Sequence, residues 1–220
     1  MRQVVILRPE PGATATFERA VEQGLSPVKL PLFAIERLQW SPPGDLTPFD
    51  GLLVTSANAI REGGEGLEQL KALPVYAVGP ATAAVAREAG FEVAKVGPAR
   101  VRLLLRTVDP DLRLLHLAGE DRVDPRRAWQ KITVLPVYRS RTLDVDPAPV
   151  DGAVVLVHSP RAGARLAEIA GNRPSVAIAA ISRAAAKACG EGWEKVAAIA
   201  KPSDLALLAL AGRLCEKSGG

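Results

Sequence analysis

The segment Asp50-Gly51-Leu52-Leu53-Val54-Thr55-Ser56-Ala57-Asn58-Ala59 has a counterpart in Asp151-Gly152-Ala153-Val154-Val155-Leu156-Val157-His158-Ser159-Pro160-Arg161-Ala162. Each is an Asp-Gly turn, a short apolar run and a serine that opens a stretch of helical pattern, the order expected where a buried strand delivers the chain into a helix. Ser56 and Ser159 lie 103 positions apart. Other landmarks keep nearly that offset: Gly90-Phe91 answers Gly192-Trp193 at 102, and Pro98 answers Pro202 at 104, each before a leucine-rich helical stretch. Upstream, Leu30-Pro31-Leu32-Phe33 and Leu135-Pro136-Val137-Tyr138 repeat at 105. Two copies of one α/β unit fill the chain.

Outward from this repeat, apolar runs of strand length recur at 4–7, 28–32, 52–55, 75–78, 93–96, 114–117, 134–137, 154–157, 176–181 and 196–199. Helical patterns lie at 13–23, 80–89, 99–108, 160–170, 182–189 and 203–215. Strand alternating with helix predicts mostly parallel sheets flanked by helices, an α/β fold of flavodoxin-like or Rossmann-like type. Gly24, Gly90, Gly171 and Gly190 follow helical stretches, where a left-handed residue ends a helix most easily. Two arrangements satisfy the repeat. Contiguous copies place the first unit before about residue 108 and the second after about residue 112. In an exchanged arrangement, 30–38 and 135–143 are two connectors, one lobe comprises residues 1–35 plus 142–220, and the other comprises 36–141. Either way two similar lobes are expected to face each other, with the ligand in a cleft beyond the carboxyl ends of the strands.

Composition narrows the functional class. With 48% hydrophobic and 24% charged residues and a mean hydropathy of +0.11, the 220-residue chain has the make-up of an ordinary folded protein. No apolar run approaches the roughly 18 residues of a spanning helix, and the start MRQVVILRPE lacks the apolar core of a secretory signal. A cytoplasmic protein with no membrane partner is expected. Cys189 and Cys215 lie in helical stretches and read as buried thiols. His116 and His158 are the only histidines, and no zinc-ligand spacing occurs, so no metal is expected. Neither Gly-x-Gly-x-x-Gly nor a P-loop is present, which removes the usual basis for nicotinamide, flavin or nucleotide chemistry. Lys and Arg number 28, 20 of them Arg, against 24 acids, and the pI is about 9.3. This favours an anionic partner, although heat adaptation also enriches arginine-rich ion pairing in some families. With aromatics at 4% and the arginines scattered, a small polyanion fits better than nucleic acid.

Four junctions bring hydroxyls and free backbone N–H groups to helix starts: Thr55-Ser56-Ala57, Gly79-Pro80-Ala81-Thr82, His158-Ser159-Pro160-Arg161 and Ser182-Arg183. Each suits a carboxylate or phosphate, and a serine there equally suits the N-cap it occupies. Four such starts point to a ligand with several carboxylates. His158 and Ser159 are neighbours at a strand end, so their side chains diverge and make no nucleophile–base pair. His116 sits within the run 114–117 and reads as a satisfied, half-buried histidine. Arg122, after Gly119-Glu120-Asp121, is either a carboxylate ligand at a strand end or a solvated charge. Tyr138 has Phe33 as its repeat partner: either ring serves packing, but only Tyr138 offers a phenol, as a hinge aromatic or as a general acid. Arg139 and Arg141 fall on the opposite face of an extended connector.

Taken in order, Leu7-Arg8-Pro9, the Asp50–Ala59 junction, Tyr76-Ala77-Val78-Gly79-Pro80-Ala81-Thr82-Ala83, Val137-Tyr138-Arg139-Ser140, the Val157–Ala162 junction and Ala180-Ile181-Ser182 resemble the uroporphyrinogen-III synthase family along nearly the whole chain. The resemblance implies two discontinuous α/β lobes on two extended connectors, which selects the exchanged arrangement. It implies a monomer without cofactor or metal. The substrate it implies is hydroxymethylbilane, a linear tetrapyrrole octacarboxylate, cyclised to uroporphyrinogen III with loss of water and inversion of the terminal pyrrole. Tyr138 takes the place of the donor to the leaving hydroxyl. Substrate contacts are implied for Arg8, Ser56, Ala57, Thr82, Arg122, Ser159, Arg161, Ser182 and Arg183. The last helix start departs from the family's Gly-Pro-x-Thr pattern, so the contact there falls to Ser182 or Arg183. The competing reading is a two-lobed module that binds a small anion or a tetrapyrrole without chemistry.

Overall fold

All ten apolar runs become strands, and the computed structural model describes residues 2–98, 100–121 and 128–216. The chain begins with β1 (Gln3–Ile6), α1 (Gly12–Glu22), β2 (Ser26–Lys29) and β3 (Phe33–Arg37). It continues through β4 (Gly51–Val54), α2 (Ala57–Arg61), β5 (Val75–Val78), α3 (Pro80–Glu88), β6 (Val93–Gly97), α4 (Val101–Leu105), β7 (Arg113–Gly119) and β8 (Lys131–Thr142). The last part is β9 (Val154–Val157), α5 (Pro160–Ile169), β10 (Ala177–Ala180), α6 (Arg183–Ala188), β11 (Lys195–Ala198) and α7 (Asp204–Glu216).

Three local readings change. The helix patterned over 99–108 stops at Leu105, because Thr107 Oγ1 donates back to the Leu104 carbonyl (2.8 Å) and the buried Gln130 amide takes the Leu105 carbonyl (3.0 Å). A short helix, α2, and a 3-10 turn at Gly64–Leu70 fill a stretch with no clear period; the break between them comes where Gly64 turns left-handed at φ +67°. Gly24, Gly90 and Gly190 are left-handed, but Gly171 is not: α5 is closed by Ala170 in an extended conformation, and a 3-10 turn at Arg173–Ser175 follows.

The chain divides into two compact units, Met1–Ala34 with Thr142–Gly220, and Ile35–Arg141. It crosses between them within β3 and again within β8. The first unit is a five-stranded sheet of order β11-β10-β9-β1-β2, parallel throughout. The second has the order β3-β8-β7-β4-β5-β6, with β8, β7, β4, β5 and β6 parallel and β3 added beside β8. Set aside β3 and the strand sequence of one unit is that of the other, with β9 in the place of β4 and β1 in the place of β7.

The central strands of each sheet are buried on both faces, as in parallel sheets joined by crossover helices. In the first unit Val155 and Val157 face Ala162, Leu166, Ala185 and Cys189 of α5 and α6, whereas Val154 and Leu156 face Ala13, Ala20, Leu207 and Leu208 of α1 and α7. In the second, Leu52 and Val54 pack with Ile60, Ala83 and Ala86 of α2 and α3, and Leu53 packs with Leu104 of α4. The α5–α6 contact is close because of Gly163, where a Cβ would stand 2.8 Å from the Ala185 carbonyl oxygen and 3.0 Å from Cys189 Sγ.

Backbone on a packed helix cannot give way cheaply, so Gly163→Ala is expected to destabilise the protein by about 1–3 kcal/mol. Gly44→Ala, in open space, should stay within about 0.5 kcal/mol of wild type. Urea denaturation of the two variants checks the contrast.

Candidate functional site

In the first unit the polar residues stand at the strand ends. Ser159 and Ser182 are in extended conformation and cap α5 and α6: Ser159 Oγ accepts from the Ala162 amide at 3.1 Å, and Ser182 Oγ from the Ala185 amide at 3.2 Å. A capping serine spends an oxygen lone pair and keeps its O–H free to donate, so capping and ligand binding are compatible roles. Arg183, the first residue of α6, is exposed. Arg161 is exposed and lies over the Phe33 ring, 4.5 Å from its centroid.

Arg8 follows β1 and folds back across the start of α1. A Cβ at Gly12 would stand 2.7 Å from its guanidinium carbon, so the glycine makes room for it. Arg8 Nη1 donates to Thr16 Oγ1 at 3.2 Å and lies 3.6 Å from Asp204 Oδ1. Asp204, in the first turn of α7, also accepts from Thr16 Oγ1 (3.1 Å), Arg19 Nη1 (2.8 Å) and His158 Nε2 (3.0 Å). Burial alone would raise the Asp204 pKa, but these bonds, led by that from His158, hold it down at about 2. Burial also lowers the Arg8 pKa, an effect that Asp204 opposes.

In the second unit Ser56 caps α2, its Oγ accepting from the Asn58 amide at 3.2 Å, and Ala57 opens the helix half-buried. Five residues make a weak dipole, so this start relies on its individual N–H groups. Gly79, at φ +90°, turns β5 into α3 without a side-chain cap, and Thr82 in the first turn is buried at 6% exposure. Thr55 Oγ1 meets Nε2 of the buried His116 at 3.0 Å, so His116 is bonded within the fold. Tyr138, half-buried in β8, lies on the backbone of Gly119: a Cβ there would be 3.0 Å from the phenol oxygen. The Glu120 amide donates to the Tyr138 carbonyl at 2.8 Å. Arg139 and Arg141 both pair with Glu36 and are exposed. Arg122 lies outside the described residues.

The structure brings Arg8, Ser159, Arg161, Ser182 and Arg183 to strand ends or helix starts of one unit, and Ser56, Ala57 and Thr82 to those of the other, where Tyr138 lies within β8 beside Gly119 at the end of β7. Sequence reasoning missed Thr16, Arg19 and Asp204 and read His158 only against its neighbour Ser159. One signal was present: Ala13, Thr16 and Ala20 share an apolar helical stripe, so Thr16 puts a hydroxyl where packing asks for a methyl. Cys189 is no nucleophile, since burial pushes its thiol up to about 11 and Sγ is bonded to the Ala185 carbonyl. Among the described residues no three His, Cys, Asp or Glu side chains gather as metal ligands, and no helix is long and apolar enough to cross a membrane.

Residues 15–209 match the model of a protein family described as uroporphyrinogen-III synthase HemD. No curated protein matches the chain. Among solved structures, uroporphyrinogen-III synthetase from Helicobacter pylori aligns with 97% of this chain and 100% of its own at 18% identity and a TM-score of 0.70. A mutant uroporphyrinogen III synthase from the extremely thermophilic bacterium Thermus thermophilus aligns with 99% and 100% at 18% identity and a TM-score of 0.59. At such identity these structures share the fold.

The Asp204 network makes a prediction about acid stability. A carboxyl held at about 2 when folded, against its ordinary 3.8, adds stability that is fully present above about pH 4 and is lost as pH falls toward 2. The difference is worth about 2 kcal/mol. Asp204→Asn should therefore be less stable than wild type by about that amount at pH 7, with the gap closing below pH 4; denaturation at graded pH measures it.

Proposed function

The chain belongs to the uroporphyrinogen-III synthase family, cyclising lyases of tetrapyrrole biosynthesis, and we propose how its own residues carry that reaction. Hydroxymethylbilane loses its terminal hydroxyl as water, leaving an azafulvene at one end of the chain. The pyrrole at the other end attacks through its substituted carbon to give a spiro intermediate. Fragmentation and reclosure invert that ring, and loss of a proton restores the aromatic pyrrole of uroporphyrinogen III. Substrate equals product plus one water, so no oxidant or reductant enters.

Because the bilane closes unaided to the uninverted isomer I, most of the enzyme's work is positioning. The octacarboxylate is held, in this reading, by the guanidinium groups of Arg8, Arg161 and Arg183 and the hydroxyl and N–H groups at Ser159 and Ser182 in one unit. Ser56, Ala57 and Thr82 contribute from the other, and Arg122 is a further candidate on sequence grounds alone. Tyr138 donates its phenolic proton to the departing hydroxyl; the support is its half-buried place over Gly119, where the ring is held and only its phenol distinguishes it from Phe33. The two compact units are taken as the two lobes of the enzyme and β3 and β8 as its connectors. The same reading has the enzyme act as a cytoplasmic monomer without cofactor or metal, on a small-molecule substrate and not on nucleic acid or a membrane. The observation that carries the activity is the family match across residues 15–209.

Freshly generated hydroxymethylbilane, incubated in chelator-treated buffer with and without the protein, should shift from isomer I to isomer III. Isomer I alone from folded protein would leave the anion-binding module as the better account. Tyr138→Phe should lower kcat by about 100-fold, the low end for loss of a general acid, with KM little changed.

A further inference from the structure

The cluster around Asp204 has more positive charge than its own pairing needs. Arg8 and Arg19 face one carboxylate, whose side chain is only 17% exposed. Arg19 is bonded to it directly at 2.8 Å. Arg8 is held at one remove: its Nη1 donates to Thr16 Oγ1, which is completely buried and donates in turn to Asp204. Among the described residues Nε and Nη2 of Arg8 have no hydrogen-bond partner, and the side chain is 34% exposed. The guanidinium is therefore gripped through Nη1, while Nε and Nη2 lie beside Gly12 with their donor capacity unspent. Through His158 Nε2, the same carboxylate also holds the end of β9, next to Ser159. β1 and β9 are adjacent central strands.

We infer that Asp204 is a positioning residue for substrate binding: through Thr16 it fixes Arg8 across the start of α1, so that the uncommitted edge of the guanidinium is preset to receive a substrate carboxylate. The inference rests on the synthase reading above for the identity of that carboxylate. Its physical basis is preorganisation. A planar, always charged fork that is already oriented loses less rotamer freedom when it pairs with a carboxylate than one swinging in water. The buried hydroxyl between Arg8 and Asp204 makes the coupling directional, since it accepts from one and donates to the other.

The test combines kinetics on fresh hydroxymethylbilane with fluorescence titration by uroporphyrin III, an octacarboxylate that needs no turnover. Arg8→Gln and Asp204→Asn should each raise KM about tenfold with kcat within about twofold, the size expected when one charge-assisted hydrogen bond is lost. The double variant should be no worse than Arg8→Gln, because Asp204 acts through Arg8. A lowered Tm with unchanged KM in Asp204→Asn, or effects that multiply in the double variant, would overturn the inference. Should Asp204→Asn fail to fold, Thr16→Val removes the relay hydroxyl and leaves every charge in place. A several-fold rise in its KM supports the inference and an unchanged KM refutes it. A wild-type protein that makes no isomer III overturns the synthase reading alone. The titration then decides the positioning role, by whether Arg8→Gln and Asp204→Asn weaken uroporphyrin binding alike or leave it unaffected.

Discussion

Val154, Val155, Leu156 and Val157 send successive side chains into two different cores and are all fully buried, and Leu52, Leu53 and Val54 do the same in the other unit. β4 and β9, used on both faces, carry no polar side chain along their length. Polar side chains are displaced to the residues just past a strand's carboxyl end, and that is where Arg8, Thr55, Ser56, His158, Ser159 and Ser182 stand. The placement of the candidate residues thus follows from how the sheets are covered. It needs no separate arrangement of the chain.

The helices that begin at those ends are short. α2 has five residues, α6 six and α5 ten, so their dipoles supply a modest field that water and salt weaken further. Full charges do more. Arg161, steadied on the Phe33 ring, and Arg183, at the first position of α6, add formal positive charge beside the capped amides of α5 and α6. Asp204 is the countervailing element: it neutralises part of the cationic cluster in the fold while leaving a net positive balance there.

The strands were legible because apolar runs of β-branched residues and leucine mark a two-sided buried strand regardless of what lies around it. The strand ends were legible for the same reason, and with them Ser56, Ser159 and Ser182. Boundaries that depend on a single distant hydrogen bond were not: α4 ends where Gln130, some 25 positions on, takes its last carbonyl. The Asp204 network was hidden for a stronger version of that reason. Thr16 and Asp204 are 188 positions apart, neither belongs to a spaced motif, and an acid in the first turn of a helix is ordinary on its own. His158 was judged against the residue beside it in sequence, when its bond is to one brought near by the packing of α7 on β9. Only Thr16, a hydroxyl on an apolar stripe, left a trace.

The double crossing of the chain within β3 and β8 bears on the order in which the protein is assembled. The unit built from Ile35–Arg141 is a continuous stretch of chain, and all its strands are translated, and so emerge from the ribosome, before β9. The other unit is split: β1 sits between β2 and β9, and one of its two neighbours is encoded more than a hundred residues later. Since domains fold as units during synthesis, the inner unit closes first while β1, α1 and β2 wait with one sheet edge and one apolar face unpaired. The β1–α1–β2 segment therefore stays without one of its strand partners until Val154–Val157 have been made and have emerged from the ribosome.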